Sequence, residues 1–283
     1  MHPARAACGV HTRPQCGTRT EPVRRSGVDL VVAIDVSRSM LARDVAPDRL
    51  TRARLEVGAL LDRLGGDRIG LLVFAGEAFV QCPLTTDAGA ARLFLRAVGP
   101  GSVPQPGTDL GNALRGAAEV LDAAGDARGR TRVVLLVTDG EDLEGGAAAA
   151  ARALSDAGVR IFALAVGTPA GAPVPLLDAQ GKITGYEKDR RGEPVVTHLD
   201  LAALQAIAER GSGEVYQIGS PDRGPAAFLP ALDRLARSEV ESRITLEYED
   251  RYALAAFPAF LCLLAGLLLG EARRTPRARE GGA

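Results

Sequence analysis

Three short segments gather carboxylates and hydroxyls: Asp35-Val36-Ser37-Arg38-Ser39, Gly107-Thr108-Asp109 and Thr138-Asp139-Gly140. Their oxygens are hard donors. Mg²⁺ or Mn²⁺ takes about six such ligands and sheds water reluctantly, so hydroxyls, carboxylates and retained waters suit either ion. Hydroxyl ligands carry no charge, and an ion held mainly by them stays under-neutralised and able to accept one more carboxylate from outside. A lone Asp-x-Ser-x-Ser would say little, because Ser and Asp after a strand are also ordinary turn and N-cap residues. Three segments in the right settings say more.

Those settings follow from the hydrophobic pattern. Short runs rich in Val, Ile and Leu start at Asp29, Arg68, Ala78, Arg132, Arg160 and Gly213 and alternate with helical patterns over 50–64, 87–97, 110–124, 146–157, 199–210 and 224–237. Repeated βα units of this kind predict an α/β fold, a Rossmann-like doubly wound and mostly parallel sheet. The near-continuous apolar character of the runs means cover on both faces. Only Gly76 and Glu77 separate the second and third runs, too few for a parallel crossover, so one antiparallel edge strand is expected. Gly and Pro punctuation over 168–197 predicts a β-hairpin inserted before the helix at Leu199. In an open α/β sheet, ligands collect outside the carboxyl ends of strands. Asp35 and Asp139 reach that edge by construction, and the loop holding Thr108 can join them.

Asp109, Glu141, Asp142 and Glu144 could shape the rim of such a site, but acidic residues at helix starts also serve the helix dipole. Asp44 and Arg38 follow the first motif, where a partner contact and a solvated surface are equally open.

Composition narrows the function classes. Lys and Arg total 34 against 35 Asp and Glu, so no general field attracts nucleic acid. The chain has no Trp and 4% aromatic residues, which argues against stacking platforms for bases. Cys8, Cys16, Cys82 and Cys262 show no metal-ligand spacing, and His2, His11 and His198 are scattered. No His, Cys or Lys in the three motifs is placed as a general base, which disfavours a metal-assisted hydrolase. No Gly-x-Gly-x-x-Gly or Walker lysine loop follows the first strand.

Residues 252–270 form an uncharged apolar run, long enough at ~1.5 Å per residue to cross a ~30 Å hydrocarbon core as a C-terminal transmembrane helix. Arg273, Arg274, Arg277 and Arg279 lie beyond it, and such clusters stay in the cytoplasm. A basic cytoplasmic tail over 271–283 and an extracytoplasmic domain are therefore expected. A C-tail anchor with a cytoplasmic domain would place those arginines on the far side. Residues 1–27 contain no apolar stretch able to export the domain and read as a juxtamembrane region from which earlier spans are missing. One terminal span cannot line a pore alone, which ranks a channel-regulating subunit low.

Asp-x-Ser-x-Ser, a Thr, and then a strand-terminal Asp-Gly resembles the metal-ion-dependent adhesion site (MIDAS) of von Willebrand factor A (VWA) domains. The resemblance implies a VWA fold over 28–240, hydroxyl ligation by Ser37, Ser39 and Thr108, and Asp35 and Asp139 binding a divalent metal ion, Mg²⁺ or Mn²⁺, directly or through water. It implies an interaction module that is not an enzyme, completed by a carboxylate from a protein partner. Arg13-Pro14-Gln15, the stretch from Val28 through AIDVSRSM to DVAPDRL, GDRIGLLVFAGEAFVQCPLT, GTDLGNAL, VTDGED and the terminal span together resemble the membrane-anchored aerotolerance (Bat) proteins of bacteria. Cys16 stands where those proteins usually have Trp. That likeness implies a bacterial inner-membrane protein with a periplasmic domain, a role in envelope stress or oxygen tolerance, and partnership with other VWA proteins and a MoxR-type AAA+ ATPase.

Overall fold

A computed structural model describes residues 27–125, 130–142, 145–178, 180–220 and 222–235, with positions 261 and 264. The first 26 residues, the basic tail and nearly all of the 252–270 run fall outside it. Among the described residues no helix is long and apolar enough to cross a membrane.

In chain order the elements are β1 (Val28–Asp35), α1 (Arg49–Leu61), β2 (Arg68–Phe74), β3 (Ala78–Thr85), α2 (Ala88–Ala97), α3 (Leu110–Ala123), β4 (Thr131–Thr138), α4 (Ala147–Asp156) and β5 (Val159–Ala165). They continue with β6 (Ala172–Pro173), β7 (Pro175–Leu177), β8 (Ile183–Tyr186), β9 (Val196–Thr197), α5 (Leu201–Arg210) and β10 (Val215–Gln217). Residues 228–235 are again helical. Asp48, Asp87, Asp109 and Asp200 cap α1, α2, α3 and α5, each accepting a bond from the backbone N–H three residues on.

Six strands form one sheet in the order β10-β5-β4-β1-β2-β3. All pairings are parallel except β2 with β3, the antiparallel edge that the two-residue connection predicts. β1 is buried along its whole length. Its side chains alternate between two cores. Leu30, Val32 and Ile34 pack with Val57 and Leu61 of α1, Leu95 of α2 and Phe228 of the 228–235 helix, whereas Val31 and Ala33 pack with Leu114 of α3, Ala151 of α4 and Leu204 of α5. The continuous apolar strands are thus a direct consequence of helices on both faces.

The strand order reverses direction between β1 and β4. At such a switch point the following loops part to opposite faces and leave a crevice at the carboxyl ends, and Asp35 and Asp139 sit there. The 172–197 insertion is more elaborate than the single hairpin its punctuation suggests: β6 pairs with β9, and β7 pairs with β8 inside them. Its strands are two to four residues long, too short for periodicity to reveal.

Candidate metal centre at the carboxyl edge

Asp35 closes β1, and its carboxylate is immobilised at both oxygens. Oδ1 accepts the Ser37 N–H at 2.8 Å, and Oδ2 accepts the Thr138 hydroxyl at 2.6 Å. The second bond joins the ends of β1 and β4. The chain then turns through a short 3-10 segment, Arg38–Leu41, whose fully buried Met40 anchors the loop. This turn brings the Ser37 and Ser39 hydroxyls within 2.9 Å of each other.

Asp139 follows β4. Gly140 has φ +86°, and a Cβ there would lie 2.6 Å from the Asp200 carbonyl oxygen, so only glycine fits this turn. Asp139 Oδ2 accepts a charged hydrogen bond of 2.8 Å from Arg49 Nη1. Both carboxylates are wholly buried. Burial and then the Asp139 charge push the Asp35 carboxyl up to about 7, against the hydrogen bonds from Ser37 and Thr138. Burial also raises Asp139, opposed by the Ser39 hydroxyl and the Arg49 charge.

Thr108 is 3% exposed and lies on the third loop, directly before the α3 cap Asp109. That loop is fixed to the same edge from two sides: the Asp109 N–H donates to the Ala75 carbonyl at 2.8 Å, and the Leu110 N–H to Asp142 Oδ1 at 3.4 Å. Asp35, Ser37, Ser39 and Asp139 are thus linked by hydrogen bonds or charge, while Thr108 is carried to their edge by its backbone.

The donor chemistry fits a hard divalent ion. The Asp139 charge raises the proton affinity of buried Asp35, burial raises that of Asp139, three neutral hydroxyls belong to the flanking loops, and Arg49 is the cation paired with Asp139. A cation between the carboxylates would relieve that repulsion. Among the described residues no cluster of three or more His, Cys, Asp or Glu could hold a metal.

Of the neighbouring polar residues, Glu144 lies outside the described residues; the others have defined roles. Asp109 caps α3. Asp44, open between partner contact and surface in the sequence, is held by Arg49 and Thr168. Arg38 is largely exposed and pairs with Glu187 of the insertion at 3.2 Å. Glu141 accepts from the Thr197 hydroxyl at 2.8 Å and the His198 N–H at 3.0 Å.

Arg49 and Thr197 escaped sequence reasoning, and Thr138 stands in the third segment without a role of its own. Arg49 alone left a signal: it is the first residue of a helix, where the macrodipole disfavours a cation, so a special partner had to be sought.

A parallel sheet with one antiparallel edge and an Asp-Ser-Ser loop at its switch point define the class. The von Willebrand factor type A domain profile matches residues 30–141. A UPF0353 protein of Mycolicibacterium paratuberculosis is 33% identical over 264 residues, covering 90% of this chain and 72% of the relative. This chain belongs to the UPF0353 family of VWA-domain proteins. Its fold is similar to that of an aerotolerance-related membrane protein from Bacteroides fragilis (36% identity, TM-score 0.67) and of BatB from Bacteroides thetaiotaomicron (36%, TM-score 0.69); each comparison covers 75% of this chain and all of the other.

Proposed function

We propose that this chain is a membrane-associated interaction module whose Asp35, Ser37, Ser39, Thr108 and Asp139 hold one divalent cation, Mg²⁺ or Mn²⁺, and whose partner binds through it. The observation that carries this reading is the pair of buried carboxylates at the switch point, with the Ser37 and Ser39 hydroxyls beside them. A bound ion would supply an open coordination position for a partner's carboxylate. The chain's own residues do the rest. Thr138 and the Ser37 N–H orient Asp35, Arg49 orients Asp139, and Met40 seats the serine loop.

VWA domains typically serve as interaction modules, and the likeness to Bat proteins supports that role here. On this reading the chain belongs to a bacterial inner membrane, with its domain in the periplasm and its C-terminus in the cytoplasm. It works in envelope stress or oxygen tolerance with other Bat-type VWA proteins and a MoxR-type AAA+ ATPase.

Calorimetric titration of Mg²⁺ and Mn²⁺ into the full chain in mild detergent tests the site, beside Asp35→Ala and Ser39→Ala variants whose folding is checked by circular dichroism. Saturable binding to the parent and loss in both variants is expected, together with capture of purified Bat-type and MoxR-type partners that EDTA abolishes. A folded parent that binds neither ion would end the reading.

A further inference from the structure

We propose that Arg49 is a positioning residue that couples the Asp139 carboxylate to the 172–197 insertion, so that occupancy of the metal centre is transmitted to the surface a partner meets beside it. The ion-linked half of this inference rests on the metal-binding reading above.

The guanidinium is wholly buried and every N–H is engaged. Nε and Nη2 grip Asp44 Oδ1 and Oδ2, each at 2.8 Å. Nη1 donates to Asp139 Oδ2 at 2.8 Å and to the Thr197 hydroxyl at 3.0 Å, and Nη2 to the Thr197 carbonyl at 3.2 Å. A planar fork is the one side chain that can serve three groups in this way.

The partners of that fork are distant in the chain. Thr197 ends β9, the return strand of the insertion. Asp44 reaches the entry to the insertion, where its Oδ2 accepts both the N–H and the hydroxyl of Thr168 at 2.7 and 2.9 Å. Gly167 passes so closely that a Cβ there would lie 2.8 Å from Arg49 Nε. Both ends of the insertion are therefore moored to one guanidinium, and the same guanidinium holds Asp139. A second tie runs from Glu141, two residues beyond Asp139, to Thr197. Outside, Arg38 of the serine loop reaches Glu187 between β8 and β9. Movement of Asp139 toward an ion must shift the guanidinium, and with it Thr197.

Hydrogen-exchange mass spectrometry on peptides spanning 168–198 tests the coupling, using the full chain in detergent with EDTA or saturating Mn²⁺. In the parent protein Mn²⁺ should slow exchange there roughly tenfold. Arg49→Lys should remove that protection and weaken Mn²⁺ binding about 10- to 100-fold, as loss of an outer partner of a metal ligand does. Thr197→Val keeps the Arg49–Asp139 pair and, at Asp139, loses only the long 3.5 Å bond from its own hydroxyl to Oδ2, so it should remove the protection while weakening Mn²⁺ binding less than Arg49→Lys does. Should Arg49→Lys fail to fold, Thr197→Val decides. Protection equal to the parent's in either folded variant overturns the proposal. If the folded parent binds no Mn²⁺, the metal reading fails by itself, and the coupling is judged in EDTA: Arg49→Lys must speed exchange over 168–198 about tenfold, and unchanged exchange overturns it.

Discussion

Arg49 and Asp139 form an ion pair of 2.8 Å in which neither side chain has any contact with solvent. They are 90 residues apart in the chain, one opening α1 and the other following β4. Removing one member leaves the other charged in a low-dielectric interior, a loss of about 3–5 kcal/mol. Arg49→Met should therefore lower the unfolding free energy by that amount in EDTA, read from urea denaturation. Arg38→Ala, which breaks an exposed pair with Glu187, should cost at most about 1 kcal/mol in the same assay.

At the opposite end of β1, Asp29 is buried between Arg68 Nη2 and Arg130 Nε, each 2.5 Å away. Burial pushes its carboxyl up, but the hydrogen bonds and charges of the two arginines outweigh it and hold it below the ordinary carboxylate range. A depressed folded value means that the stabilisation is complete above the unfolded value of about 3.9 and is lost as pH falls through the folded one. Asp29→Asn should be markedly less stable than the parent at pH 7. The gap between their urea midpoints should close as the buffer is taken below about pH 4; a gap independent of pH would show that Asp29 acts by shape alone.

Gly140 turns the chain after Asp139 with φ +86° and lies against the Asp200 backbone. Gly140→Ala adds about 1–2 kcal/mol of left-handed strain to a contact that only a backbone shift can relieve. Denaturation should show a loss of at least that size, and Mn²⁺ titration should show weakened binding, because the shift moves Asp139.

Phe228 wedges between Phe162 of β5 and Tyr216 of β10, with ring centroids 5.3 and 5.7 Å away. This cluster fixes the 228–235 helix to the sheet. Phe228→Ala should cost about 3–5 kcal/mol, and partial proteolysis should cut after Arg223 in the variant well before it cuts the parent.

Much of this protein is legible in one dimension. The period of apolar residues fixes the order of strands and helices, because each strand must be covered on both faces. The two-residue Gly76-Glu77 link dictates the antiparallel edge, since no crossover is that short. Asp35, Ser37, Ser39 and Asp139 declare themselves by type and by their place at strand ends, and the rule that loops part at a switch point brings them together.

What holds those groups is decided only in three dimensions. Thr138 looks like an ordinary strand residue until its hydroxyl is found on Asp35, 103 positions away. Arg49 is marked in the sequence only as a cation at a helix start, and its partners appear only when packing seals it among Asp44, Asp139 and Thr197, the last 148 positions distant. Nor does the nesting of β7 and β8 inside β6 and β9 leave any period in strands so short. Sequence pattern records which side chains must leave water, because that depends on local periodicity. The pairing of buried charges depends on which distant loops meet at one edge, and that is set by the packing of the whole sheet.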